Sequence, residues 1–148
     1  MKPSTAIERP LLFVDTWGWL ALADAKDDRH DEVVDLRRRH TATGILVTTD
    51  YVLDETFTRL FSVSPFAQAE RFCSAVLRAR DAEMLRVEAI TPERFARAYR
   101  MRLRYHDKPR ISFTDLTSFV VMKELAIRDA LTSDAHFAAV QMGFRIVP

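Results

Sequence analysis

Four acidic residues stand where an α/β chain can bring carboxylates together. Asp15 ends the apolar run 11–14 (LLFV), and Glu55 lies in the stretch VLDET beyond a second apolar run at 45–47. Asp115 falls in SFTD at the head of a helical stretch, and Asp134 follows the short apolar segment 130–132. In an open α/β sheet the ligand crevice lies beyond the carboxyl ends of the strands, and three of these segments end there. Carboxylates gathered without basic partners repel one another. They take up protons or recruit a divalent cation, and hard oxygen ligands favour Mg2+ or Mn2+ over zinc. Each acid also has an ordinary use: Asp15 and Asp134 could cap helices, and Asp115 could be the acidic member of a capping box begun by Ser112. For Glu55 taken alone the helical projection favours a solvated face. The apolar stripe centres on Leu53, Phe57 and Leu60, Glu55 lies at its edge near Val52, and periodicity does not prefer Glu55 over Asp54.

Positioning four such acids requires strands and helices in alternation, and the sequence supplies them. The continuous apolar run 11–14 reads as a strand buried on both faces, followed by a helix over 16–23. The charged segment 29–41 carries Val33, Val34 and Leu36 and reads as helix, with Gly44 where a C-cap would want it. Residues 45–47 form a second buried strand. Thr48 or Thr49 can then cap a helix bearing Val52, Leu53, Phe57, Leu60 and Phe61, which ends near Ser64 and Pro65. Another helix reaches about Ala82, residues 84–89 alternate enough for a strand, and Thr91-Pro92-Glu93 opens a helix to about Tyr105. The helix begun at Ser112 is expected to continue through Ile127. Short strands at 130–132 and 144–147 flank a brief helix ending near Met142. This alternation predicts a parallel sheet covered by helices on both faces, in one domain spanning 1–148.

Composition narrows the classes further. With 148 residues and 48% hydrophobic content, the chain can bury about 70% of its unfolded surface in a core without staples. Lys+Arg 22 against Asp+Glu 21 gives a formal net charge of +1, which excludes a basic nucleic-acid tail and an acidic disordered protein. The lone Cys73 has no partner for a disulfide or a shared metal, so a reducing, cytoplasmic compartment is expected. Only three Gly are present, and none forms a phosphate-binding loop. Lys2, Arg9, the apolar stretch 11–23 and Ala23-Asp24-Ala25 imitate a secretory signal. Asp15 inside that stretch and Glu8 at its flank break the pattern. No window approaches the ~18 apolar residues of a membrane span, so no membrane association is expected.

Taken together, the four acidic motifs resemble the PIN domain, most closely the VapC-like toxins of bacterial toxin–antitoxin pairs. The resemblance rests on LLFVDTWGWLALAD with Asp15, VLDET with Glu55, SFTDLTSF with Asp115 and LTSDAHF with Asp134, and covers nearly the whole chain. It implies a three-layer α/β/α fold with a central parallel sheet of four to five short strands. It selects Glu55 over Asp54 and implies that Asp15, Glu55, Asp115 and Asp134 form a quartet holding Mg2+ or Mn2+, with Asp15 and Asp115 the principal ligands. Thr132 matches the hydroxyl of the family's T-x-D, and Thr16 beside Asp15 is a further supporting candidate. The implied activity is endoribonucleolytic cleavage of single-stranded or looped RNA. The implied partners are RNA, an antitoxin protein and a second copy in a homodimer.

Eighteen of the 22 cationic residues are Arg. Arg97, Arg100 and Arg104 recur at i, i+3 and i+7 on one helix, with Lys108 and Arg110 just beyond and Asp115 downstream. A basic rim beside an acidic pit would suit an RNA backbone, although an ordinary solvated helix face has the same spacing. His30 occupies a place where the family often has a His, or else marks a helix start. His136, two residues past Asp134, does not by that spacing make a zinc site. Trp17, Trp19, Phe72, Phe119 and Met122 fall at helical spacings and read as core, with base stacking a second use for Trp17. Two rivals remain. An Asp-based phosphotransfer domain also ends its first strand in Asp, but the dehalogenase type needs a second Asp where Trp17 stands, and the receiver type needs an acidic pair and a late Lys. A PIN-fold module that binds RNA or protein without cutting gains nothing from a complete acidic quartet.

Overall fold

A computed structural model describes residues 8–148. The chain order is β1 (Leu11–Val14), α1 (Thr16–Ala23), α2 (His30–Thr41), β2 (Ile45–Thr49), α3 (Asp50–Val63), α4 (Phe66–Asp81) and β3 (Leu85–Glu88). There follow α5 (Pro92–Arg104), α6 (Phe113–Glu124), β4 (Asp129–Leu131), α7 (His136–Ala139) and β5 (Arg145–Val147). The five strands form one sheet in the order β3-β2-β1-β4-β5, every neighbouring pair parallel. The expected PIN-like α/β/α architecture is therefore present.

This strand order places the site before any side chain is considered. The chain builds outward from β1 through β2 to β3, then returns to the other side of β1 with β4 and β5. The switch falls between β1 and β4, whose register pairs Phe13 with Ala130 and Val14 with Leu131. Connections leave the carboxyl ends of these two strands in different directions and open a crevice there. Asp15 and the segment 132–134 begin one residue beyond the two strand ends.

Helix α1 must lie close against the sheet to hold Asp15 at that crevice. Gly18 permits the approach, because a Cβ there would stand 2.6 Å from the Leu131 carbonyl oxygen and 2.8 Å from Leu131 Cγ. Trp19 fixes the far face of the same turn. Its Nε1 donates to Thr48 Oγ1 at 3.2 Å, and Thr48 Oγ1 in turn donates to the Val14 carbonyl at 2.9 Å. The capping role foreseen for Thr48 or Thr49 falls to Thr49, whose Oγ1 accepts from Val52 N at 3.1 Å.

The second anchor is α6, in which every residue from Asp115 to Met122 is buried. A helix buried on all sides belongs in a core, and this one packs against α5 and α3. Phe119 meets Phe137 edge-on at 4.8 Å and stacks on Phe144 at 5.6 Å, which ties α7 and the approach to β5 onto α6. Each fully buried ring contributes roughly 1.5–3 kcal/mol. Arg94 adds a polar tie: it bonds Glu88 at the end of β3 and Glu124 at the end of α6.

Three local expectations need correction. Helix α6 ends at Glu124 rather than Ile127, because Ala126 takes a positive φ of 56° and Ile127 N returns to the Met122 carbonyl at 2.8 Å. That is a Schellman closure with alanine where glycine is usual, so no glycine marks it in the sequence. Gly44 is not a left-handed cap: among the described glycines only Gly143 has positive φ. A Cβ at Gly44 would instead lie 2.6 Å from the Pro10 carbonyl and 2.5 Å from His40 Nε2, so the glycine serves close packing against the start of β1. The strand expected over 130–132 stops at Leu131, leaving Thr132 just past its end.

Candidate active site

Asp15 occupies the N-cap position of α1, yet its side chain makes no capping bond. It is 5% exposed, and its Oδ2 accepts a 2.9 Å hydrogen bond from Thr132 Oγ1, 117 residues away in sequence. The same Thr132 hydroxyl oxygen accepts from Asp134 N at 3.0 Å. One hydroxyl thus fixes the side chain of the first acid and the backbone of the last. Burial pushes the Asp15 carboxyl up to about 6, with the charges of Asp134 and Glu55 adding to the rise, while the bonds from Thr132 and the Thr16 backbone oppose it.

Asp115 stands in the first turn of α6, where Ser112 Oγ accepts from Asp115 N at 3.0 Å. That half of the capping box is present. The carboxylate is spent elsewhere, 8% exposed and facing Asp15 and Asp134. Its pKa is pushed up to about 8, first by burial and then by the like charges of Asp15 and Asp134, with which it also shares a hydrogen bond on the Asp134 side. Asp134 does keep a capping use, since its Oδ1 accepts from His136 N at 2.9 Å.

Glu55 sits on the exposed face of α3, as its sequence position suggested, but it reaches the site through α1. Its Oε2 accepts from Thr16 Oγ1 at 3.2 Å, the residue next to Asp15. Asp54 makes no such contact among the described hydrogen bonds. Among the described residues no Lys or Arg forms an ion pair with Asp15, Glu55, Asp115 or Asp134. Four carboxyl groups therefore meet without compensating cations, and two of them hold protons well above the usual carboxylate range. This donor set suits a hard divalent cation. Ligand atoms of Asp115, Asp134 and His136 all lie within 4.8 Å of one another.

His136 was passed over in the sequence because its spacing from Asp134 fits no zinc motif. Its position at the head of α7 turns it back toward that acid, with Nδ1 3.1 Å from Asp134 Oδ1. Arg102 was also missed. Its guanidinium donates to the carbonyls of Tyr105, Lys108 and Ile111, and so holds the turn that delivers Ser112 and Asp115. His30 has a structural use: its Nδ1 lies 2.8 Å from the Ala21 carbonyl and joins α2 to α1.

The basic residues of α5 and the turn after it differ in their partners. Arg97 pairs with Glu124 at 3.4 Å, nine residues along α6 from Asp115, or about 13 Å of helix rise. Lys108 pairs with Asp107 at 3.0 Å and lies over the Tyr105 ring. Arg100, Arg104 and Arg110 are exposed and form no ion pair among the described residues.

The PIN domain sequence profile matches residues 12–142. The 23S rRNA-specific endonuclease VapC20 of two Mycobacterium tuberculosis strains is 33% identical over 129 residues, covering 87% of this chain and 93% of the relative. The crystal structure of Mycobacterium tuberculosis VapC20, described as a sarcin-ricin loop cleaving toxin, has a TM-score of 0.77 at 32% identity over 92% of this chain and 98% of that one. VapBC2 of Rickettsia felis, solved bound to a promoter DNA fragment, shares the fold with a TM-score of 0.71 at 11% identity, over 93% of this chain and 97% of that one.

Proposed function

The chain belongs to the PIN domain family, and from that premise we propose that it is a divalent-cation-dependent endoribonuclease, the toxin of a toxin–antitoxin pair. The observation that carries the reading is the convergence of Asp15, Asp115 and Asp134 at the switch between β1 and β4 with no Lys or Arg ion-paired to them among the described residues. Mutual repulsion leaves such a set protonated or cation-bound at neutral pH, and Mg2+ or Mn2+ matches its oxygen ligands. Asp15 and Asp115 are the principal ligands in this reading, and Asp134 and Glu55 complete or orient the site. Thr132 holds the Asp15 carboxylate, and Thr16 holds Glu55. A bound divalent cation supplies Lewis acidity for attack of water on the phosphodiester at neutral pH. No histidine general base is required.

The substrate class follows from the relatives at 33% identity, which cleave 23S rRNA. We read this chain as cutting a structured loop of ribosomal RNA, with Arg100, Arg104 and Arg110 contacting phosphates and Arg97 withheld by Glu124. Residues Phe61, Val63 and Phe66 at the α3–α4 turn are exposed and apolar, which supports a protein partner such as an antitoxin. Self-association as a homodimer belongs to the same reading. No helix among the described residues is long and apolar enough to cross a membrane, in keeping with action on cytoplasmic RNA.

The test is cleavage of an rRNA fragment containing the sarcin–ricin loop by purified protein with Mg2+, with Mn2+ and with EDTA. The Asp15→Asn variant, checked for folding by circular dichroism, is assayed beside it. Cation-dependent cutting lost in the folded variant is the expected result. Cation-independent cutting, or full activity in the variant, would overturn the assignment.

A further inference from the structure

We propose that His136 is a nitrogen ligand of the site's cation and biases it toward Mn2+ over Mg2+. The inference rests on the divalent-cation reading above and adds a residue that neither the acidic motifs nor the sequence spacing assigns. Two ligands of one octahedral cation at metal–ligand distances of about 2.1 Å lie about 3 Å apart when adjacent and about 4.2 Å apart when opposite. The Nδ1 of His136 stands 3.1 Å from Asp134 Oδ1, the separation of two adjacent ligands. Asp115 completes a three-residue set whose ligand atoms all lie within 4.8 Å of one another. That bound is about 0.6 Å beyond the separation of two opposite ligands, so the set reaches one ion with a side-chain adjustment.

The backbone has already fixed this arrangement. Asp134 Oδ1 accepts from His136 N at 2.9 Å, and Asp134 N donates to Thr132 Oγ1 at 3.0 Å, so the loop between β4 and α7 holds both side chains in one short turn. Phe137, the next residue, is fully buried against Phe119 of α6. This anchors the imidazole to the helix that carries Asp115. Imidazole is a good ligand for first-row transition metals, whereas Mg2+ takes oxygen almost exclusively and keeps its waters. A single nitrogen therefore separates the two ions.

The experiment is pulsed electron paramagnetic resonance of Mn2+ bound to the protein, prepared with natural-abundance histidine and again with 15N-histidine, beside His136→Gln and Asp115→Asn. Isothermal titration gives the affinities of Mn2+ and Mg2+ for each protein. The expected result is a nitrogen modulation that changes with the isotope and vanishes in His136→Gln. With it, Mn2+ affinity falls about tenfold while Mg2+ affinity is unchanged. Mn2+ that binds, is lost in Asp115→Asn, and shows no histidine nitrogen would overturn the inference and leave the acidic site standing. Failure of wild-type protein to bind either ion would overturn the cation reading itself.

Discussion

Replacing Asp115 by Asn tests the electrostatics of the site without any RNA. In the metal-free protein Asp15 and Asp115 hold protons up to about pH 6 and about pH 8, against 3.8 for an ordinary aspartate. The unfolded chain releases those protons near pH 4. Between pH 4 and 8 the native state therefore binds more protons than the unfolded one, and stability falls as pH rises through that window. At about 1.4 kcal/mol per pKa unit, the Asp15 shift alone corresponds to about 3 kcal/mol, lost by the time the pH passes about 6. The Asp115 shift is larger, but the two acids share their mutual repulsion, so the contributions are not summed.

Asparagine at position 115 keeps the shape and cannot ionise. It removes the burial cost of the Asp115 charge and one like charge from Asp15. Metal-free Asp115→Asn is expected to be more stable than wild type at pH 8 by a few kcal/mol, raising Tm by about 10 °C for a chain of this size. Near pH 5, where native Asp115 is already protonated, the gap should narrow. The assay is thermal unfolding by circular dichroism in EDTA at pH 5 and 8, repeated with Mn2+. Added cation should raise the wild-type Tm at pH 8 and leave the variant unmoved, since a ligand stabilises only the state that binds it. An Asp115→Asn protein less stable than wild type at pH 8, or a gap that does not vary with pH, would refute the argument from converging like charges.

Three further substitutions test how the site is held. Thr132→Val removes the 2.9 Å bond that lowers the Asp15 pKa; the Asp15 carboxyl should titrate above 6 by carbon NMR, with about 1–2 kcal/mol of stability lost, and an unmoved titration would contradict the contact. Gly18→Ala sets a Cβ 2.6 Å from a backbone oxygen that has no room to yield, so urea unfolding should show a loss of about 1–3 kcal/mol even though alanine is the better helix former. Arg102→Met leaves three carbonyls without their donor, and amide exchange should quicken across residues 105–112 while the sheet keeps its protection; unchanged exchange would show that the turn holds itself.

What the sequence discloses here depends on how far apart the partners lie. Asp15, Asp115 and Asp134 were visible because each sits where a strand ends or a helix begins, and such boundaries are written in local residue order. The five parallel strands were visible for the same reason. Contacts between distant segments were not. Gly44 reads as a helix cap because the Pro10 carbonyl that it must admit belongs to a different element. Arg97, Arg100 and Arg104 share a helix face, but only the crossing of α5 and α6 decides that Glu124 takes Arg97. Glu55 and Asp54 are both exposed on α3, and periodicity does not prefer either. What separates them is the hydroxyl of Thr16, 39 residues earlier in the chain. Thr132 acts likewise, joining Asp15 to Asp134 across the switch between β1 and β4. Uncharged hydroxyls are suited to this, because an Arg or Lys in either place would neutralise the acids and remove the reason for a cation to bind. The hydroxyls that orient the site are therefore named by the family resemblance, while local pattern alone gives no reason to choose them.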